Sequence, residues 1–195
     1  MVTKCKRYGL ILLIASLSSC QPAIDKMQER STQDMIHKCV LPYAVDDRFL
    51  AIFEKAKNND ADACFVLADS FAYVSTIGLS MDPPIDSNYL DICFELSDYW
   101  RLRAANLGSP EAILLSCEGE LEKDVSFQDL QEQALSRLLS IKNPTDRQAE
   151  IIVRSVMYGK GMKEDPIKAR ELYDRFTEEG KILPKWERID KIVSD

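Results

Sequence analysis

The sequence predicts an all-α protein, a short α-solenoid of stacked helix–turn–helix units. Three observations predict it. Apolar residues recur at helical spacing through most of the chain after residue 45. Glycine, or Asn-Asn-Asp, separates successive stripes. Ala63, Ala112 and Ala149 each stand four residues after a turn position, Asn59, Gly108 and Thr145, so the units fall in register with gaps of 49 and 37 residues. Two short helices cannot bury their apolar faces alone, so a fold made of such pairs has to stack copies.

Residues 1–19 are expected to be removed. Lys4, Lys6 and Arg7 precede the apolar run Leu10 to Leu17, which is too short to span a bilayer and the right size for a signal peptide. Leu17-Ser18-Ser19-Cys20 resembles the lipobox of bacterial lipoproteins. That resemblance implies diacylglycerol on the Cys20 thiol, cleavage before it and acylation of the new N-terminus. Gln21 in place of aspartate then implies the periplasmic face of the outer membrane. Removing three positive and no acidic charges takes the net charge from −7 to −10. An acidic surface argues against nucleic acid and suits a basic protein partner.

Residues 20–43 are expected to be the lipidated N-terminus and a tether with at most a loosely held helix, because Gln21 to Lys38 is polar with little apolar periodicity apart from Met27, Met35 and Ile36. His37, the only histidine, has no histidine or cysteine pair near it, so no metal site is expected. Residues 44–182 should hold the repeats. Val45, Phe49, Ile52, Phe53 and Ala56 mark a first helix from Val45 to Lys57, and Asn58-Asn59-Asp60 the turn after it. Ala63, Val66, Leu67 and Ser70 mark the next helix, Ala61 to Tyr73. A long loop from Ser75 to Ser87 is the favoured partner contact, through Ile77, Met81, Asp82 and Asp86. Leu90, Phe94, Leu96, Trp100, Leu102 and Ala105 mark a helix from Asn88 to Asn106. Ala112 opens a degenerate middle unit, whose second helix carries Phe127, Leu130, Ala134 and Leu138.

The last unit is the most regular. Ile151, Ile152, Val156 and Met157 make one stripe, and Gly159 and Gly161 break it. Asp165 is a good N-cap with Pro166 at the first helical position. Ala169, Leu172, Tyr173 and Phe176 line the following helix, and Gly180 ends it. A final helix is expected around Pro184 to Val193, within 183–195.

Two segments resemble the Sel1-like repeat, a relative of the tetratricopeptide repeat. Trp100-Arg101-Leu102-Arg103-Ala104-Ala105-Asn106-Leu107-Gly108-Ser109-Pro110-Glu111-Ala112 is similar to W-x-x-x-A-A-x-x-G-x-x-x-A. Tyr158-Gly159-Lys160-Gly161-Met162, then Asp165-Pro166-Ile167-Lys168-Ala169 and Tyr173, is similar to its Y-x-x-G-x-G-V and D-x-x-K-A signatures, with the first glycine one place early. The resemblance covers about 45–182. It implies a protein-binding module without cofactor or catalysis. Small Sel1-like lipoproteins neutralise toxic effectors such as phospholipases, which makes an immunity role against a basic effector the first expectation. An envelope scaffold or regulatory lipoprotein is the alternative. A Sel1-like β-lactamase is a remote one, since no S-x-x-K occurs, nor H-E-x-x-H, G-x-S-x-G or a P-loop.

Cys39, Cys64, Cys93 and Cys117 remain after Cys5 is removed and Cys20 is lipidated, an even number with three connectivities. Cys64 and Cys93 begin antiparallel helices and should lie at opposite ends of the pair. The register instead sets Cys93 near Cys39 and Cys64 near Cys117. No C-x-x-C is present, which excludes a zinc ribbon.

Overall fold

The computed structural model describes residues 21–43, 47–121 and 126–190. The signal peptide, Cys20 and Val45 lie outside them, as does the final helix beyond Asp190. Helix α1 covers residues 21–35 and continues into a π-helical turn, Ile36–Val40, and a short 3-10 turn, Leu41–Tyr43. Then follow α2 (Arg48–Lys57), α3 (Ala61–Ile77), α4 (Ser87–Asn106), α5 (Pro110–Leu115), α6 (Phe127–Leu139), α7 (Asp146–Met157), α8 (Pro166–Glu178) and α9 (Trp186–Asp190). No strand occurs among the described residues. The protein is all-α.

The expected tether is not one. Thr32, Met35, Ile36, Cys39 and Val40 are spaced i, i+3, i+4, i+7, i+8, which makes a single buried stripe along α1 and the π turn. The Trp100 indole N–H donates to Thr32 Oγ1 at 2.7 Å, and Thr32 donates in turn to Gln28 O at 2.7 Å. Asp25 Oδ1 accepts from the Tyr99 hydroxyl at 3.1 Å, and Arg103 reaches Glu29 at 3.5 Å. A mostly polar helix is thus docked through three partners on α4, Tyr99, Trp100 and Arg103. His37 lies on its exposed side, and no metal-binding cluster occurs among the described residues.

Side-chain caps fix six of the helix starts, Asp165 among them as expected. Asp60, Asp86, Ser109, Ser126, Thr145 and Asp165 each accept a backbone N–H of the first turn, satisfying donors that have no partner inside the helix. Thr145 and Gln148 complete a capping box. Within the first pair, Gly78 lies beside Leu90 and Ser97 Oγ donates to Ala68 O at 2.9 Å, which sets α3 and α4 antiparallel. The same pairing recurs for α5 with α6 and α7 with α8. Between pairs, α4 meets α5, α6 meets α7, and α5 also meets α7.

Several stripes differ from expectation. α2 starts at Arg48, and Phe53 and Ala56 are its buried residues. α3 runs to Ile77 rather than Tyr73, and its buried set is Ala63, Cys64, Phe65, Leu67, Ala68, Phe71 and Val74. Val66 is exposed and Ser70 only half-buried. Packed by α2 on one side and α4 on the other, α3 buries more than one stripe, so a single-face pattern misassigns it. Together with the 3-10 turn that follows, it makes a helical run, Ala61–Ser80, long and apolar enough to cross a membrane by length and composition, and packing on two sides accounts for its apolar character. In α4 the inward residues are Leu90, Cys93, Leu96, Ser97, Trp100, Ala104 and Ala105, while Phe94 points to solvent.

The loop after α3 is shorter than expected and tied down. Gly78–Ser80 forms a 3-10 turn, and Ile85 N–H donates to Gly78 O at 2.9 Å. A Cβ on Gly78 would stand 2.3 Å from Leu90 Cδ2, so a larger residue there would have to push that side-chain tip aside. Gly161 serves similarly in the last unit. Its φ is +78°, and a Cβ there would stand 2.3 Å from the carbonyl oxygen of Gln131 in α6.

Candidate partner-binding face

The register that aligns Ala63, Ala112 and Ala149 also aligns the residue before each: Asp62, Glu111 and Gln148. These sit in the first turns of α3, α5 and α7, and all three line one hollow of about 310 Å³. Phe65, Val66, Asp69, Ser70, Thr145 and Arg147 complete it. The Gln148 side-chain amide donates to Glu111 Oε1 at 2.7 Å, and Ser109 Oγ donates to the other carboxylate oxygen at 3.1 Å. Glu111 is 7% exposed, so these two bonds satisfy a carboxylate held almost out of water.

Arg147 spans the hollow. Its Nη2 lies 2.7 Å from Asp69 of α3 and its Nη1 2.9 Å from Glu150, while Glu150 also takes Arg154 Nε at 2.9 Å. The first and third helix pairs are therefore joined directly across α5. Arg147 Nε is buried without an acceptor. Three carboxylates (Asp62, Asp69, Glu111) face one guanidinium here, with Val66 as an exposed apolar neighbour.

A second hollow, of about 400 Å³, lies beside α7 where α5 stops. Leu114, Leu115, Ile151 and Tyr158 give it apolar walls, and Arg154, Ser155 and Lys160 its polar edge. α5 is six residues long because Ser116 turns extended (φ −80°, ψ 162°) and its hydroxyl returns to Ala112 O at 2.9 Å. Flanking cations take the freed carbonyls. Lys160 Nζ donates to Leu114 O at 2.9 Å and Arg101 Nη1 to Leu115 O at 3.5 Å. Arg101 also holds Glu120 at 3.1 Å, which keeps that carboxyl below the usual range, with the Cys117 N–H adding to the effect.

The residues expected from sequence are dispersed. Ile77 ends α3 half-buried, and Met81 packs against the core. Asp82 is exposed, and Asp86 is spent as the N-cap of α4, accepting from Asn88 N–H at 2.9 Å. They line neither hollow. Cys39, Cys64 and Cys93 are buried thiols, and Cys117 is an exposed one. Cys64 Sγ lies 3.6 Å from Ala56 O. Burial raises its pKa to about 11 and that of Cys93 to about 12. Neither thiol is set up as a nucleophile.

Sequence reasoning missed Asp62, Asp69, Glu111, Arg147 and Gln148. The signal was the register itself. A polar residue before each aligned alanine projects to the same side of each successive first helix.

No known protein-family profile matches this chain, and no curated protein and no solved structure is significantly similar to it.

Proposed function

We propose that this protein is a lipid-anchored periplasmic binding module, a short Sel1-like α-solenoid that holds a basic segment of a partner protein against α3, α5 and α7. The observation that carries the reading is the polar track Asp62–Glu111–Gln148, repeated at one register position and set in a hollow with excess negative charge. The recurring α3–α4, α5–α6 and α7–α8 pairing supports the solenoid. The sequence up to Cys20 supports export and anchoring. Among partners, a toxic effector neutralised by this chain fits a small acidic protein with no catalytic motif. An envelope scaffold would use the same face for a resident protein.

The test uses the full chain, with its leader and a C-terminal tag, produced in a diderm bacterium alone or with the product of the adjacent gene. A one-to-one complex that abolishes the neighbour's toxicity is the expected result. Asp62→Lys, an exposed change in the hollow, should weaken that complex at least tenfold, and more at low salt than at high salt. Protection that is untouched by Asp62→Lys would move the contact off this face. Absence of both complex and protection would discard immunity and leave the scaffold.

A further inference from the structure

Cys39 and Cys93 are far apart in sequence and adjacent in the core. Cys39 lies in the π-helical turn and is 1% exposed, while Cys93 lies in the second turn of α4 and is 0% exposed. Lys38 sits 5.4 Å from the Tyr89 ring, and Tyr89 is four residues before Cys93, on the same side of α4. The turn is thus pressed against this part of α4. The two sulfurs lie close enough for each thiol to perturb the other, and Cys39 reaches Met35 Sδ at 3.9 Å. The other two cysteines share no such contact. Cys64 points to a backbone carbonyl inside the core, and Cys117 stands in solvent beyond α5.

We propose that Cys39 and Cys93 form the single disulfide of the exported chain, stapling α1 and the π turn to α4, with Cys64 and Cys117 left as thiols. The inference rests on the reading of the protein as exported, because an oxidising compartment supplies the oxidant. That oxidant is a disulfide-exchange reagent. One cysteine thiolate attacks its disulfide and releases one reduced thiol. The second cysteine attacks the resulting mixed disulfide and releases the other. Two protons and two electrons leave the chain for each S–S bond formed, and the reagent's disulfide becomes two thiols. Both sulfurs are buried once the helices dock, so the exchange belongs to the folding chain.

The pairing replaces two bonds with one. Of the register-based pairs, Cys39–Cys93 has its partners side by side, whereas Cys64 and Cys117 are separated by burial, one wholly enclosed and the other exposed. The staple closes a loop that includes α2 and α3, so reduction should cost thermal stability throughout the first helix pair. A loss of roughly 5–15 °C in Tm is expected on reduction.

The experiment takes the full chain, made with its leader in a diderm bacterium and alkylated on lysis before fractionation and non-reducing peptide mapping. The expected result is a Cys39–Cys93 linked peptide, with Cys64 and Cys117 carrying the alkyl label. Both Cys39 and Cys93 alkylated, in chain recovered from the envelope with its leader removed, would overturn the staple while leaving export intact. Chain recovered from the cytosol with its leader uncleaved would instead sink the export reading. Oxidised glutathione added to that chain then decides the pairing alone: a Cys39–Cys93 link upholds it and any other link refutes it. As a second readout, Cys39→Ala, Cys93→Ala and the double variant should lose similar Tm, with no further loss on reduction. Cys64→Ala should retain the reduction-dependent shift.

Discussion

The first and middle helix pairs occupy equivalent places, yet they are built differently. α3 and α4 are 17 and 20 residues long, whereas α5 and α6 are 6 and 13. The first pair is held by its interior: Phe53 meets Trp100 edge-on at 6.2 Å, Tyr99 meets it at 5.0 Å, and α1 closes the other side. The middle pair is held by its neighbours, through Lys160 and Arg101 on the α5 carbonyls and Arg137 on Gly108 O at 2.9 Å. The long pair supplies stability. The short one supplies open space, since a helix that stops early leaves its neighbour's flank uncovered. The hollow beside α7 opens at the end of α5 for that reason, whereas the other lies at the first turn of α5.

The largest way to break the contrast is Trp100→Ala. Trp100 is 0% exposed and its N–H holds Thr32, so truncation should cost about 3–5 kcal/mol in denaturant unfolding. Undocking of α1 should accompany it. A cost below about 1 kcal/mol would show that the first pair is not the anchor.

Alkali should separate the halves next. The phenol and thiols with raised pKa all lie in the first half: burial lifts Tyr99 to about 12, Cys93 to about 12 and Cys64 to about 11, and Cys39 upward too. Each is neutral when folded and ionises more readily unfolded. Their stabilising effect is therefore complete below pH about 9 and lost as the pH climbs to about 12. In the reduced chain, amides of α3 and α4 should lose hydrogen-exchange protection across that window. Tyr99→Phe should remove the part above pH about 10.

Gly161→Ala sharpens the comparison at the far side of the middle pair. The added methyl meets the Gln131 carbonyl, at a φ of +78°, and should cost about 1–3 kcal/mol. The loss should appear as faster exchange in α6 and α7 rather than in α3. The smallest effect belongs to Arg147→Ala. Its pair with Asp69 is more than a third exposed on both sides, so the stability change should stay below about 1 kcal/mol. Partner binding, in contrast, should change measurably, because the variant opens the hollow that Arg147 spans.

What was legible in the sequence follows from local physics. The Asp165 cap, the glycine turns and the stripe Ile151-Ile152-Val156-Met157 depend on neighbours a few residues away, and each appears where the spacing puts it. What was not legible depends on distant partners. Val66 and Phe94 continue apolar stripes that tertiary packing leaves in solvent. α1 was read as a tether because Asp25, Glu29 and Thr32 look solvated until Tyr99, Arg103 and Trp100 are brought to them. The hollow was not legible because Asp62, Glu111 and Gln148 each look like an ordinary first-turn polar residue until the fold brings them together.

The docking of α1 also sets how far the protein can reach. A chain anchored by lipid at Cys20 with a loose tether could sample a broad shell above the membrane. With residue 21 already helical and buried contacts by Thr32, the chain from residue 21 onward supplies no such slack. Fifteen helical residues form a strut of about 22 Å, fixed to α4 along its length. An anchored body would then stand at one height and one tilt, presenting the α3–α5–α7 face in a constant direction. A partner would meet it as a surface already oriented, rather than as a float on a line.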